Sequence, residues 1–251
     1  MIRPAITLGL VTLLTALSAC AQRQRVEPAP AEPAPLFELL EELPAEGVVK
    51  AVDVYNPEPF THTYIHVNDD GRAEGQTIIT RSATDEFGAS FADTSTSGTI
   101  EYWTIDEQGR VVMTAYIDRK ENALTLFNPA LTLFPAELRP GSPHRSNAAM
   151  RVTDFQNRAS VRETGKGART IEYVSDQRIS TPLGDFIAKR VAIRFTADLR
   201  LADVDERTTY FVVPDLGVVA IQSEMRLKVF GAFGSTTKVT MVRAGEPSSE
   251  R

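Results

Sequence analysis

Alternation of apolar and polar residues is the clearest pattern in this chain, and it is strongest over residues 218–229. Such a two-residue period is typical of a β-strand with one buried face and one wetted face. Residues 186–197 alternate in the same way, and we find no spacing typical of strand–helix–strand units. The pattern therefore predicts an all-β, mainly antiparallel domain. The apolar positions of the longest strand that we expect to face a core or cavity are Val219, Ile221, Met225 and Leu227.

Turn-forming residues divide these segments into consecutive hairpins. Residues 68–71 (NDDG) and 107–109 (EQG) each stand between two segments rich in β-branched and aromatic residues, and their Asn, Asp and Gly residues favour turns. Residues 214–217 (PDLG) place Pro early and Gly late, as a β-turn prefers. We therefore expect a curved open sheet or half-barrel, with a β-sandwich as the alternative.

Residues 36–43 (LFELLEEL) break the two-residue period. Leu36, Leu40 and Leu43 recur at helical spacing, glutamates occupy other positions, and Pro44 ends the segment. An amphipathic helix of two turns is marginal by itself and needs a surface to pack on. We therefore predict a short N-terminal helix that covers one end of the sheet. A helix that binds a partner is the alternative.

Residues 124–138 (LTLFNPALTLFPAEL) are apolar but contain two prolines. Proline fixes φ and lacks an N–H group, so we expect neither a regular helix nor a central strand here. Two interpretations remain open: a crossover segment that plugs one end of the sheet, or a flap over an apolar cavity. The residues that we expect to take either role are Phe127, Leu131 and Phe134.

The first twenty residues have the parts of an export signal. Arg3 supplies a positive charge, and residues 5–17 are uncharged, largely apolar and shorter than the roughly 20 residues of a membrane-spanning helix. Residues 17–20 (LSAC) follow, and they contain the single cysteine of the chain. This motif closely resembles the lipobox of bacterial lipoproteins. The resemblance implies cleavage between Ala19 and Cys20, a diacylglycerol on the Cys20 sulfur, and an acyl chain such as palmitate on the new amine.

The predicted lipid anchor divides the chain into four parts. Residues 1–19 are a signal peptide, and residues 20–35 are the lipidated N-terminus and a proline-rich linker of extended geometry. Residues 36–245 form a single β-rich extracytoplasmic domain, and residues 246–251 form a disordered tail. Ala21, rather than aspartate, follows the cysteine. The resemblance to enterobacterial lipoproteins therefore implies the outer membrane, facing the periplasm; the outer leaflet of the cytoplasmic membrane is the alternative.

Three motifs occur in order in the C-terminal half: residues 134–141 (FPAELRPG), 181–191 (TPLGDFIAKRV) and 208–224 (TTYFVVPDLGVVAIQSE). They resemble a broad set of uncharacterised bacterial envelope β-proteins, and the resemblance covers roughly residues 124–229. It implies a curved half-barrel of the general kind found in lipoprotein carriers. It implies no active site.

Composition and candidate ligand residues argue against several functions. The net charge is −6 without a basic patch, so nucleic acid is not an expected partner. His62 and His66 are four residues apart in a predicted strand, a span of about 13 Å, which is too long for one zinc ion. The acidic residues 198–206 lack the glycine of a calcium loop, and Ser142 and His144 lack a G-x-S-x-G motif. We therefore predict no catalytic residue, metal or cofactor, and a protein that is not an enzyme.

Two functional hypotheses follow for a protein held at the membrane by its N-terminal lipid. The first is a binding or carrier module that encloses a hydrophobic ligand or an apolar segment of an envelope protein. The second is a structural or interaction lipoprotein with a solid core that docks an envelope protein. A cavity of at least roughly 300 Å³ inside the sheet would favour the first hypothesis.

Overall fold

The computed structural model describes residues 34–229 and 233–245. The chain divides into two compact units, residues 1–33 and 34–251, and every described residue belongs to the second. The predicted signal peptide, Cys20, most of the predicted linker and the predicted tail lie outside the described residues.

Strands dominate the described part of the chain, as the alternating pattern predicts. One short helix, α1 (Ala51–Val54), and a single turn of 3-10 helix (Glu86–Gly88) interrupt them. The strands, in chain order, are β1 (Glu38–Leu43), β2 (Val49–Lys50), β3 (Phe60–Val67), β4 (Ala73–Ala83), β5 (Phe91–Ser95), β6 (Thr99–Ile105), β7 (Val111–Asp118), β8 (Ala123–Phe134), β9 (Glu137–Leu138), β10 (His144–Asp154), β11 (Val161–Thr181), β12 (Gly184–Leu199), β13 (Ala202–Val213), β14 (Gly217–Val229) and β15 (Phe233–Arg243).

Twelve of these strands form a closed antiparallel barrel. The strands β3 to β8 and β10 to β15 follow one another around it, and β15 pairs with β3, from Tyr64 opposite Arg243 to Val67 opposite Thr240. All-β antiparallel structure is confirmed, but the expected open sheet or half-barrel is wrong, and so is the alternative β-sandwich. Closure gives hydrogen-bond partners to the two edges that an open sheet would leave exposed.

The predicted N-terminal helix over residues 36–43 is also wrong, because these residues contain strand β1. It pairs with the far end of β11, from Glu38 opposite Ser180 to Leu43 opposite Asp176. Pairing between β10 and β11 ends at Ile171 of β11, which leaves the edge of β11 beyond it available. A helix of two turns has little stability of its own, so an available strand edge decides the conformation.

The proline-containing segment forms strand β8, and the prediction that its prolines exclude a central strand is wrong. β8 pairs with β7 on one side and β10 on the other. Its pairing with β7 passes from Leu126 opposite Ala115 to Leu131 opposite Met113, so residues 127–130 form an irregularity that contains Pro129. A proline is tolerated at such a site because no ladder hydrogen bond from its nitrogen is required.

One part of the barrel interior is a solid apolar core. The short β2–β9 pair and helix α1 close this part, where the Ala51 nitrogen donates to the Ala136 oxygen at 3.0 Å. Val49, Trp103 and Phe134 are fully buried in this cluster. We call it the solid core; its other buried members are Ala51, Tyr55, Val111, Met113, Leu131, Leu133, Leu138, Ala148, Ile171, Tyr173, Val191, Ile193 and Val212.

Candidate functional site: an internal cavity

A cavity of about 850 Å³ adjoins the solid core. Its wall is built by alternate residues of β3, β4, β5, β6, β13, β14 and β15, together with residues of α1. Val54 and Tyr55 contact both the solid core and the cavity. Ligand pockets in proteins commonly have volumes of about 300–1,000 Å³. The cavity is therefore large enough for a small-molecule ligand.

The cavity has an apolar wall and a polar wall. Strands β14 and β15 supply Ile221, Val239 and Met241. Across the barrel, β5 and β6 supply two carboxylates and several hydroxyl groups. The polar residues from these two strands are Asp93, Ser95, Thr99 and Glu101, and Ser97 joins them from the connecting turn.

Arg81 of β4 organises the polar wall. Its side chain is 3% exposed, and its Nε and Nη2 atoms donate to the two carboxylate oxygens of Asp93 at 2.7 and 2.6 Å. Its Nη1 atom donates to the Asn56 backbone oxygen, just beyond α1. The guanidinium lies 4.4 Å from the Phe60 ring centre and 4.6 Å from that of Trp103. Arg81 thus ties the segment after α1 to the barrel wall through charge-assisted and cation–π contacts.

Glu101 lies directly opposite Asp93 in the pairing of β5 with β6. No hydrogen bond or ion pair joins its carboxylate to another residue within 34–229 and 233–245. Burial raises the pKa of Glu101 to about 7, and the nearby Asp93 carboxylate acts in the same direction. The accessible surface that Glu101 keeps faces the cavity that it lines.

Two further charged residues influence Glu101. The Arg169 guanidinium lowers the pKa of Glu101, whereas the Glu206 carboxylate raises it. Glu206 accepts hydrogen bonds from the hydroxyl groups of Thr208 and Ser223, both at 3.1 Å. The Nε atom of Arg169 is buried and has no hydrogen-bond partner among the described residues. The interior therefore holds charged groups that protein contacts only partly satisfy.

Tyrosine hydroxyls supply further polar atoms at the cavity wall. Tyr64 donates to the Val218 oxygen at 3.0 Å. Burial raises the pKa of Tyr64 and of Tyr55 well above the ordinary value, and it raises the pKa of Tyr210 to about 12. These phenols stay neutral near pH 7, so they are suited to hydrogen bonding rather than to accepting a proton as bases.

Both predicted strand histidines line the cavity. The Nε2 atom of His66 lies 2.7 Å from the Thr77 hydroxyl, and the His62 ring stacks on Phe60 with ring centres 4.1 Å apart. In the described residues, no three His, Cys, Asp or Glu side chains are arranged to hold a metal ion. The described helices include none that is long and apolar enough to cross a membrane.

The structure separates the apolar residues that the sequence analysis grouped together. Ile221 lines the cavity. Leu131 and Phe134 belong to the solid core, and Phe127 packs against it. Val219 belongs to a different buried cluster, Met225 is 39% exposed, and Leu227 is half-buried. Cys20 and Ala19 lie outside the described residues.

Sequence reasoning did not single out Arg81, Asp93 or Glu101. A signal was present in strand β6, where Ile100 and Tyr102 alternate with Glu101 and Trp103. A strand with large apolar residues on both faces is covered on both faces. The face of β6 that carries Glu101 is therefore covered by protein, whether it points into the barrel or away from it.

A second concave region of about 890 Å³ lies on β10 to β13. The charged residues around it, Lys166, Asp198 and Asp203, are all exposed. It is an open surface region rather than an enclosed cavity, and its charges are solvated. The internal cavity is the better candidate site because it is more enclosed and its lining includes the buried Arg81 and Thr77 side chains.

No protein-family model, no curated protein and no solved structure matches the chain. The two resemblances described under "Sequence analysis" remain predictions. The fold and cavity define the protein as a closed antiparallel β-barrel with room for a ligand inside.

Proposed function

We propose that this protein is a non-catalytic binding or carrier module that encloses a ligand in its barrel. The observation that carries the proposal is the cavity of about 850 Å³ beside the solid core. Its apolar wall suits a hydrophobic chain or segment, and its polar wall suits a small number of directed contacts. This combination is typical of ligand pockets, where apolar area supplies affinity and a few polar groups supply orientation.

The proposal assigns the polar residues of the cavity to holding and orienting a ligand. Arg81 and Asp93 are engaged with each other, and the Tyr64 hydroxyl is engaged with the Val218 oxygen. Such groups keep fixed positions and can discriminate between ligands. Holding and orienting a ligand in this way requires neither a proton transfer nor a covalent step.

The proposal includes an anchor at the cell envelope. A diacylglycerol on Cys20 and an acyl chain on its amine would hold the mature protein to a bilayer, since two or more chains give stable attachment. The outer membrane, with the barrel facing the periplasm, is the location we propose. Lipids and apolar segments of envelope proteins are available there as ligands.

The alternative role, an interaction lipoprotein with a solid interior, accounts for less of the molecule. Leu131 and Phe134 do belong to a solid core. That core occupies only one part of the interior, and a docking role gives no reason for the cavity beside it.

Native mass spectrometry of the full-length protein, purified from its own membranes in mild detergent, tests the binding role. We expect an additional mass that organic solvent removes. Ile221→Trp, which would place a large side chain in the cavity, should abolish it. Val161→Trp is the matched control, because Val161 is 46% exposed and does not line the cavity. Repeated recovery of ligand-free wild-type protein would contradict the proposal, as would retention of the ligand by Ile221→Trp.

A further inference from the structure

The charged residues of the cavity wall differ in whether protein contacts satisfy them. Arg81 and Asp93 form a bidentate pair. Glu206 accepts two hydroxyl donors, and Arg243 donates to the Leu216 oxygen at 2.6 Å. Each of these four side chains has a partner within the barrel. Glu101 has no such hydrogen bond or ion pair within the described ranges.

The position of Glu101 follows from strand register. Arg81, Asp93, Glu101 and Tyr116 form one row across four neighbouring strands, because each lies directly opposite the next. The Arg81 Nε and Nη2 atoms, which face this row, both donate to Asp93 and not to Glu101. Glu101 is consequently left beside another carboxylate, an arrangement that destabilises a sheet.

Arg169, the cation outside this row that acts on Glu101, does not complete the site. Arg169 attracts Glu101 through space, but no ion pair joins the two side chains, and the Arg169 Nε atom has no hydrogen-bond partner in the described part of the chain. A half-buried carboxylate without a protein partner loses part of its hydration, and that loss is costly. A donor from outside the chain, located in the cavity, would remove that cost.

We propose that the ligand is an amphiphile with a cationic ammonium head group, and that Glu101 is the counter-ion for that group inside the barrel. This inference rests on the proposed binding function and specifies its ligand class. The ammonium group would form a charge-assisted hydrogen bond with the Glu101 carboxylate. The apolar part of the ligand would contact Ile221, Val239 and Met241 on the other wall.

The composition of the cavity wall supports a cation over an anion. The acidic side chains that line it are Asp53, Glu58, Asp93, Glu101, Glu206 and Asp215, and the arginines are Arg81 and Arg243. Both arginines already have protein acceptors. Acidic side chains therefore outnumber basic ones around the cavity, and this balance favours a positive head group there.

Three twelve-carbon probes that differ only in head group test the inference: dodecylamine, dodecanol and dodecanoate. We would titrate each into delipidated full-length protein at about pH 8, where Glu101 is ionised and an alkylammonium group stays charged. Probe concentrations stay below those that form micelles. Trp103, the single tryptophan, is a built-in fluorescent reporter, because it is buried against Phe91 and against Arg81, which lines the cavity. Calorimetry gives the affinities independently.

We expect dodecylamine to bind at least about tenfold more tightly than dodecanol, with dodecanoate weakest. Glu101→Gln should remove this preference by bringing the dodecylamine affinity down to about that of dodecanol. Glu172→Gln, an identical change at an exposed position on β11, should behave as wild type. Thermal unfolding checks that Glu101→Gln, which keeps the side-chain shape, remains folded.

Several outcomes would overturn the inference, and they can be told apart from failure of the binding role. Equal affinity for dodecylamine and dodecanol, or an unchanged preference in Glu101→Gln, would exclude Glu101 as the counter-ion. Tightest binding of dodecanoate, lost in Arg169→Gln, would assign the head group to Arg169 instead. If none of the three probes binds wild-type protein, the binding role itself is wrong.

Discussion

Strands β7, β8, β11 and β12 fill their side of the barrel interior with apolar side chains such as Met113, Leu131 and Ile171. Strands β4, β5, β6 and β13 place Arg81, Asp93, Glu101 and other polar groups toward theirs. The two regions share the same antiparallel geometry, yet one is a solid core and the other encloses a cavity. The difference lies in side-chain chemistry rather than in backbone architecture.

Side-chain chemistry also explains why the cavity stays open. An apolar interior packs as densely as an organic crystal, because every void forfeits contacts. Charged side chains resist such collapse, since each needs a partner or water. The Arg81–Asp93 pair and the uncompensated Glu101 therefore separate a part of the barrel that packs from a part that stays open.

The largest effect should come from Arg81→Ala. This change leaves Asp93 and Glu101 as neighbouring carboxylates and removes the donor to the Asn56 oxygen. Breaking a buried ion pair by removing one partner costs about 3–5 kcal/mol. Urea unfolding monitored by Trp103 fluorescence measures the loss.

Arg139→Ala is the matched control for Arg81. Arg139 donates to Glu137 at 3.1 Å, but both side chains are largely exposed. We expect a change of less than about 1 kcal/mol in the free energy of unfolding. Similar losses for the two arginine variants would show that the interior pair has no special structural role.

A pair of aliphatic truncations should separate the two regions. Leu131 is fully buried in the solid core, so Leu131→Ala should cost about 3 kcal/mol by creating a void. Ile221 already faces open space, so Ile221→Ala should cost about 1 kcal/mol. The two losses in the free energy of unfolding follow from the denaturant midpoints of the variants, provided that the slope of free energy against denaturant concentration is unchanged. Equal losses would mean that the cavity wall is packed like the core.

A smaller effect should appear in the pH dependence of stability. The pKa of Glu101 is raised to about 7 in the folded state, against about 4.3 in an unfolded chain. The unfolded chain therefore releases this proton first as pH rises. The contribution of Glu101 to the free energy of unfolding therefore has its full value below about pH 4 and decreases progressively up to about pH 7.

The groups that face Glu101 are Asp93, Glu206, Arg81 and Arg169. We expect the wild-type protein to lose about 2 kcal/mol between pH 5 and pH 7.5 through Glu101, because solvent screening of this half-buried side chain reduces the full linkage. Glu101→Gln should flatten the curve over that interval. A wild-type curve that rises with pH there, with no change in the variant, would contradict the raised pKa.

Local patterns predicted the strands and their antiparallel hairpins. The pairing of β6 with β7 across residues 106–110, for example, follows from turn residues between two apolar segments. The closure of the barrel could not be predicted in this way, because it joins Tyr64 to Arg243 across nearly the whole domain. No local feature of either strand specifies the other as its partner.

The two local errors have the same origin. The helical spacing of Leu36, Leu40 and Leu43 and the proline in β8 express intrinsic preferences, and tertiary context overrode both. The free edge of β11 accepted β1, and the irregularity at residues 127–130 accommodated Pro129. The polar wall was not predicted, because an alternating strand was expected to have one solvent-exposed face and one buried face. Both faces of β6 are instead covered by other parts of the protein.

The most direct test of the central claim is a high-resolution crystal structure of the protein purified with its natural ligand content intact. We predict continuous electron density in the cavity that reaches from the Glu101 carboxylate to Ile221 and that no side chain explains. A cavity filled by rearranged side chains, or one that holds only separate water molecules, would contradict the claim that this barrel encloses a ligand.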